Sequence, residues 1–158
     1  MKEKRLCWLT SAAFNGFLLL FVTWAVFRGA ATAAPDSPQN RTFSPGDVVI
    51  NEVAWGGTAA SSADEWIELY NVTAAPITLT DWSLAAPDGS PSIALCGVIP
   101  AQAFFLLERT DNDTVSDIPA DQIYTGGLVN DGETLLLTDP LGACIDTANA
   151  DGDGWPAG

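Results

Sequence analysis

The stretch Asp64-Glu65-Trp66-Ile67-Glu68-Leu69-Tyr70-Asn71 (residues 64–71) has the strongest strand pattern in the chain, because it is rich in aromatic and branched side chains and is followed by a turn. Side chains alternate across a β-strand, so this stretch would present two sets of side chains on opposite faces. One face would carry Trp66, Glu68 and Tyr70, and the other Glu65, Ile67, Leu69 and Asn71. The turn residues Thr73-Ala74-Ala75-Pro76 come next. The sequence therefore predicts a β-strand that ends at Asn71.

Short apolar segments surround this strand and read as further strands. Val48–Val53 precedes it across a glycine-containing loop. The later segments are Ile77–Leu79, Trp82–Leu84, Ser92–Leu95, Ala103–Leu107, Ile123–Thr125, Thr134–Thr138 and Cys144–Thr147. Turn signals separate them, and the 3.6-residue period of an amphipathic helix is absent after residue 46. This pattern predicts an all-β protein, built as a β-sandwich.

Ala103–Leu107 is apolar at every position, so its periodicity alone also fits a buried helix. Pro100 before it and the turn Arg109–Asp113 after it leave room only for a strand. We predict that this segment is the central strand of a sheet and is covered on both faces.

The ordered set of strands resembles the lamin-tail domain, an immunoglobulin-like module of nuclear lamins and of many secreted bacterial proteins. The resemblance covers residues 46–158 and rests on an Asn-Glu strand followed by the 64–71 strand, with further matches through Gly154-Trp155-Pro156-Ala157-Gly158. The residues that carry the motif are Asn51, Glu52, Glu65, Trp66, Glu68, Asn71 and Trp82. The resemblance implies an immunoglobulin-like β-sandwich that binds or positions partners and has no catalytic residues. In that family at least one more strand usually follows, so we expect residues 46–158 to lack the last strand.

The first 33 residues have the three regions of a secretory signal peptide. Lys2, Lys4 and Arg5 come first, an apolar run follows, and small residues including Ala31 and Ala33 precede the expected cleavage site. The alternative is an uncleaved membrane anchor, because Leu6–Phe27 is 22 residues without a charge. Residues 34–45 contain three prolines and are predicted to be a linker. Either outcome predicts a secreted, extracellular or cell-surface protein.

Charge limits the partners of the mature chain. After residue 33 there are 2 basic and 19 acidic residues, which give a formal charge of −17. Affinity for nucleic acids comes mainly from Lys and Arg that neutralise phosphates, so direct nucleic-acid binding is not expected. A membrane would be a partner only if the N-terminal segment stays uncleaved. The expected partner is an unknown protein or a cell-surface glycan.

Two cysteines remain after cleavage, Cys96 and Cys144. Export to an oxidising compartment predicts a disulfide between them, provided that their Cα atoms come within bridging distance. The alternative is two separate thiols.

Candidate chemistry is sparse. Glu52, Glu65 and Glu68 are the carboxylates that could work as an acid–base pair, but acidic residues on strands are more often solvated or bonded to a neighbouring turn. The sequence has no histidine to activate a serine and no phosphate-binding loop. We therefore do not expect an enzyme.

Calcium is the ion that acidic loops of this kind would hold, and no other cofactor is expected. Hard oxygen ligands on turns suit calcium, although neither loop matches the EF-hand spacing. The alternative is that the loops are solvated. The candidate ligands are Asp111, Asp113, Asp117 and Asp121 in one loop, with Asp151 and Asp153 near the end.

Four tryptophans could form a stacking surface for a glycan. Trp66 and Trp82 alternate with neighbours in apolar strands and are assigned to the core. Trp55 and Trp155 lie beside glycines, so they are the candidates for exposed aromatic residues.

The sequence thus predicts an exported, non-catalytic lamin-tail domain that acts as a binding or positioning module. The alternative is the leading accessory domain of a longer extracellular hydrolase of nuclease or phosphatase type, with its catalytic part beyond Gly158. A role in a nuclear lamina conflicts with the signal peptide, the acidic charge and the absence of a heptad rod.

Overall fold

The computed structural model describes residues 42–155. The predicted signal peptide, with its alternative as an anchor, and most of the predicted linker lie outside the described residues. Among residues 42–155 no helix has the length and apolar character needed to cross a membrane.

Ten strands make up the described part of the chain. They are β1 (Val48–Ala54), β2 (Trp66–Asn71), β3 (Ile77–Thr78), β4 (Ser83–Ala85), β5 (Ser92–Ala94), β6 (Val98–Ile99), β7 (Phe104–Arg109), β8 (Gln122–Tyr124), β9 (Leu135–Thr138) and β10 (Cys144–Ala148). The predicted all-β class and every predicted segment are therefore confirmed. The structure adds β6, which pairs with β3 and is not among the predicted segments.

The strands form two four-stranded sheets and one two-stranded ladder. The first sheet has the order β1-β2-β7-β8, the second β10-β9-β4-β5, and β3 pairs with β6. All pairings are antiparallel except that of β7 with β8. The inward side chains of both sheets form one core, as in an immunoglobulin-like sandwich. The largest fully buried side chains in it are Trp82, Ile67, Leu69, Ile77, Leu79, Leu84, Ile99, Leu107, Leu135 and Leu137.

Strand β2 alternates as the sequence predicts. Ile67, Leu69 and Asn71 are buried in the sandwich, while Trp66, Glu68 and Tyr70 are only half-buried on the other face. Trp66, which the sequence assigns to the core, therefore lies outside it. The pleat allows only one face of the strand to meet the second sheet, and Ile67 and Leu69 occupy that face.

Asn71 is buried because it closes the turn after β2. Its amide group donates to the carbonyl oxygens of Ala75 at 2.9 Å and Pro100 at 2.9 Å. Its side-chain oxygen accepts bonds from the backbone N–H and the hydroxyl of Thr73. A buried amide with these partners has no unmet hydrogen bonds, so Asn71 acts structurally.

Strand β7 is central in the first sheet, between β2 and β8, as predicted. Residues 105–108 are buried, so both faces of its middle are covered. Phe104 at its start departs from the prediction, since 54% of it is exposed.

The packed domain begins before the boundary predicted at Gly46. The ring of Phe43 contacts the ring of Trp82 edge-on, with centroids 4.7 Å apart. The backbone N–H of Gly46 also donates to the carbonyl oxygen of Ile145 at 2.8 Å. The end of the predicted linker is therefore part of the sandwich.

Candidate functional site

The face of the first sheet that points away from the core is the candidate binding surface, and we call it the outward face. Strand register places its side chains in three rows that run across the sheet. The rows are Val49, Tyr70 and Phe104; Glu52, Glu68 and Leu106; and Ala54, Trp66, Glu108 and Ile123. Glu52 and Glu68 thus lie between the row of Tyr70 and Phe104 and the row of Trp66. Leu106 and Glu108, which continue the second and third rows on β7, are buried, so the open part of this face lies over β1, β2 and the start of β7.

The middle row contains two carboxylates that lie directly opposite each other. Glu52 of β1 pairs with Glu68 of β2, and a β-bulge between Ile50 and Glu52 sets this register. The side-chain amide of Asn51 donates to Glu68 Oε1 at 2.7 Å. Like charges at opposed positions in a sheet are destabilising. The protein tolerates this pair at a place where Glu52 is exposed to solvent.

Aromatic and aliphatic side chains flank the acidic pair. The rings of Tyr70 and Phe104 touch, with centroids 4.7 Å apart and planes at 41°. Phe104 is 54% exposed and Ile123 41% exposed, whereas Trp66 is half-buried. Aromatic surface beside carboxylates can contact both the stem and the charge of a Lys or Arg side chain.

The residues from 42 to 155 place no positive charge on this face. Arg109 is the only basic residue between positions 42 and 155, and its Nη1 lies 2.8 Å from Glu65 Oε1. Glu65 is almost fully buried on the inward side of the sheet, with 2% exposure. The only cation among residues 42–155 is therefore already paired with a carboxylate of the same domain.

Glu65 and Glu133 form a second acidic feature, which is buried and structural. Two successive backbone N–H groups hold them, since Leu128 donates to Glu65 Oε2 and Val129 to Glu133 Oε1, both at 2.8 Å. Burial raises the pKa of the Glu133 carboxyl, because the charged form loses water, and the Val129 N–H opposes this shift. Burial and the nearby Glu65 likewise raise the pKa of Tyr124.

The three carboxylates weighed for acid–base chemistry do not come together. Glu52 and Glu68 lie on the outward face, whereas Glu65 is buried on the inward side. Two donors, Arg109 and the Leu128 N–H, engage Glu65. Its surroundings serve to hold the loop after β8 against the sheet.

The predicted calcium loop after β7 gathers some carboxylates but not a ligand set. A hydrogen bond with Asp111, and then repulsion from it, raise the pKa of the exposed Asp113 carboxyl. Burial raises the pKa of Glu108, although the N–H groups of Val115 and Thr114 oppose the shift. Asp117 is exposed, with no hydrogen bond to it from the described residues.

The other candidate ligands have structural contacts. Asp121 accepts the N–H of Leu106 at 2.9 Å. Asp151 accepts the N–H of Asp153 at 3.4 Å in the second loop. Across residues 42–155 no three Asp, Glu, Cys or His side chains are grouped to hold a metal ion. Calcium binding stays a prediction that would need these loops to rearrange.

Cys96 and Cys144 are not bonded to each other, contrary to the predicted disulfide. Register across the second sheet aligns Cys144 with Thr138, Ser83 and Ala94. Three strand spacings therefore separate Cys144 from Ala94, about 14 Å at about 4.8 Å each. Cys96 follows only two residues after Ala94, and bridged cysteines need Cα atoms within about 7 Å. Strands β9 and β4 lie between the two cysteines.

Trp55 and Trp155, the predicted exposed aromatics, are instead half-buried. Their rings stack, with centroids 6.4 Å apart and planes within 10°, and both pack against the core. The indole N–H of Trp155 donates to the carbonyl oxygen of Val129 at 2.7 Å. The stacked rings hold the chain after β10 against the sandwich. Because each ring is partly buried by these contacts, less ring surface is exposed for a glycan to stack on.

The sequence pattern did not identify Phe104 and Ile123 as surface residues, and it placed Tyr70 on a face with Trp66 and Glu68 without identifying that face as a surface. Phe104 lies in an uninterrupted apolar run, so the sequence pattern gives no sign that its side chain is exposed. The alternation within β2 could have revealed Tyr70, since it shares a face with Glu68. Exposure of Phe104 and Ile123 depends on pairing with neighbours that are distant in sequence.

The geometry identifies the protein as an immunoglobulin-like β-sandwich in which one sheet face carries aromatic and acidic side chains. The profile of the lamin tail domain family matches residues 41–151, so this chain belongs to the lamin tail domain family. This match confirms the resemblance to the lamin-tail domain that the strand motifs of the sequence indicate. A comparison with curated proteins finds no match. The family indicates a binding or structural module of a non-catalytic kind.

Proposed function

We propose that this chain is an exported binding and positioning module whose partner docks on the outward face. The face carries the proposal because exposed Phe104 contacts Tyr70, and because Trp66 and exposed Ile123 lie in one row on either side of Glu108. Aromatic residues that lie on a rigid scaffold are the usual anchors of protein interfaces. Export is supported by the basic, apolar and small-residue regions of residues 1–33.

A photo-crosslinking experiment on the full chain tests this function. A photoreactive phenylalanine analogue replaces Phe104 in the producing cell, and the exported protein is irradiated in place. The matched control puts the same analogue at Leu141, which is 79% exposed in the turn between β9 and β10. Both positions hold large exposed apolar side chains, so the analogue has similar freedom at each.

We expect a discrete covalent adduct from position 104, formed outside the cytoplasm, that position 141 does not give. Identical adduct patterns from the two positions would show that the outward face has no preferred partner. Retention of the whole chain in the cytoplasm would contradict export. Both readouts are blots of fractionated cells and medium.

A further inference from the structure

We propose that the outward face accepts an extended, cationic protein segment with a central Lys or Arg and an apolar side chain two residues away on each side. This inference rests on the proposed function and names the chemistry of the partner. Its basis is the order of the three rows, in which Glu52 and Glu68 lie between the Tyr70–Phe104 pair on one side and Trp66 on the other.

The spacing of the rows supports an extended segment. Residues 66, 68 and 70 of β2 project on one face, and alternate residues of a strand are about 7 Å apart. A segment that lies along β2 has the same repeat, so its alternate side chains would meet successive rows. The central side chain would lie over Glu52 and Glu68. Its two neighbours on that face would lie over Tyr70 with Phe104 and over Trp66.

The acidic pair supports a basic residue at the centre. Glu52 and Glu68 repel each other across the strands, and among residues 42–155 only one neutral donor, the side-chain amide of Asn51, bonds to Glu68. A Lys or Arg between them would replace repulsion with attraction. Its aliphatic stem could lie against Tyr70 or Trp66, where the ring face also attracts the charge.

The charge of the whole chain disfavours the other occupants of this face. The formal net charge is −14, so a second copy of this chain would be repelled, as would a nucleic acid or an anionic lipid surface. Complementary charge steers a cationic partner towards the face and disfavours wrong partners. Charge and row order therefore indicate the same occupant.

The test uses short threonine-rich peptides with blocked termini and a fluorescent label. The first peptide has phenylalanine, lysine and valine at alternate central positions, and the second replaces the lysine with glutamate. A third keeps the lysine but replaces phenylalanine and valine with threonine. Fluorescence anisotropy measures the binding of each to the mature wild-type domain at low and at physiological ionic strength.

We expect the first peptide to bind, the third to bind more weakly and the second not to bind detectably. In the variant Glu52→Gln/Glu68→Gln, binding of the first peptide should weaken about fivefold, as the loss of two exposed charge contacts predicts. The matched control is Asp117→Asn/Asp131→Asn, which removes the same charge from exposed loop positions and should bind like wild type.

Equal binding of the lysine and glutamate peptides to the wild type would overturn the inference, and that comparison needs no variant to fold. Equal weakening in both double variants would also overturn it, since net charge alone would then account for binding. A cross-link from position 104 without charge selectivity would remove this inference and leave the proposed function. The absence of that cross-link would remove the proposed function itself, whatever the peptides show.

Discussion

Arg109 Nη1 lies 2.8 Å from Glu65 Oε1, so the only basic residue between positions 42 and 155 is paired with a buried carboxylate. Glu65 precedes β2 and Arg109 ends β7, and these two strands are neighbours in the first sheet. The Arg109 N–H also donates to the carbonyl oxygen of Glu65 at 3.0 Å. One pair thus ties the start of one strand to the end of the next and leaves the protein surface acidic.

Replacing Arg109 with methionine should destabilise the domain by about 3 kcal/mol, because it leaves the Glu65 carboxylate buried without its cation. The Leu128 N–H alone would then compensate that charge. Urea denaturation measures the change in the free energy of unfolding. The double variant Glu65→Gln/Arg109→Met should be more stable than the sum of the two single changes predicts. Strict additivity would show that the pair does not couple.

Gly132→Ala should destabilise the domain by about 2 kcal/mol or more. The backbone φ of Gly132 is +105°, and a Cβ there would overlap the backbone carbonyl oxygen of Asp153. Gly89→Ala is the matched control, since φ is +93° but nothing lies within 4 Å of the added carbon. A smaller loss of melting temperature for Gly89→Ala isolates the contact. Equal losses would mean that backbone strain alone is responsible.

The domain should become more stable as pH falls from neutral towards the ordinary carboxyl pKa of 4.5. Burial raises the folded-state pKa of Glu133 and Glu108, so the folded state binds protons more readily than the unfolded state. Stability from these groups is complete below the ordinary pKa and is lost as pH rises through the raised values. Thermal melts across this range measure the effect.

Glu133→Gln should flatten that pH profile and raise the melting temperature at neutral pH, because it mimics the protonated side chain. Its oxygen can still accept the Val129 N–H. In the wild type, Glu133 Oε2 is buried and lacks a hydrogen-bond partner. The variant replaces this charged oxygen with a neutral amide nitrogen, so no charge is buried there. The control Asp131→Asn removes an exposed charge nearby and should keep the slope. An unchanged slope in Glu133→Gln would show that Glu133 does not contribute.

Non-reducing mass spectrometry of the purified domain should find no peptide that joins Cys96 to Cys144. The expectation follows from the two strands that separate these residues in the second sheet. A disulfide-linked peptide between them in the folded protein would contradict the sheet order. Melts with and without reductant give a second readout, since a native bridge would stabilise the domain by about 2–4 kcal/mol.

A large part of the fold could be predicted from local patterns. The alternation in residues 64–71 predicts which side chains of β2 are buried, because the pleat has a strict period of two. The turn signals predict the other strands, since glycine and proline limit where a strand can continue. The apolar run at Ala103–Leu107 predicts a buried segment, and Pro100 before it and the turn at Arg109–Asp113 after it make that segment a strand rather than a helix.

The candidate surface was less accessible to such reasoning. Glu52 and Glu68 are 16 positions apart, and the bulge at Asn51 decides that they face each other. The exposure of Phe104 depends on how the other strands and loops of residues 42–155 are arranged around it, which its own sequence does not encode. The disulfide prediction was wrong because it rested only on the oxidising compartment, which allows cysteines to pair. Whether two cysteines lie close enough depends on strand order, which the compartment does not determine.

The all-β class and the acidic charge follow from the sequence alone, because they depend on composition and on periodicity over a few residues. The ordered strand motifs carry the resemblance to the lamin tail domain family, which the match over residues 41–151 confirms. The tertiary structure decided the order β1-β2-β7-β8 and the pairing of Arg109 with Glu65. It also decided the rows of the outward face. Each of these joins residues that are far apart in the chain, so each depends on how the strands pair rather than on what any one strand contains.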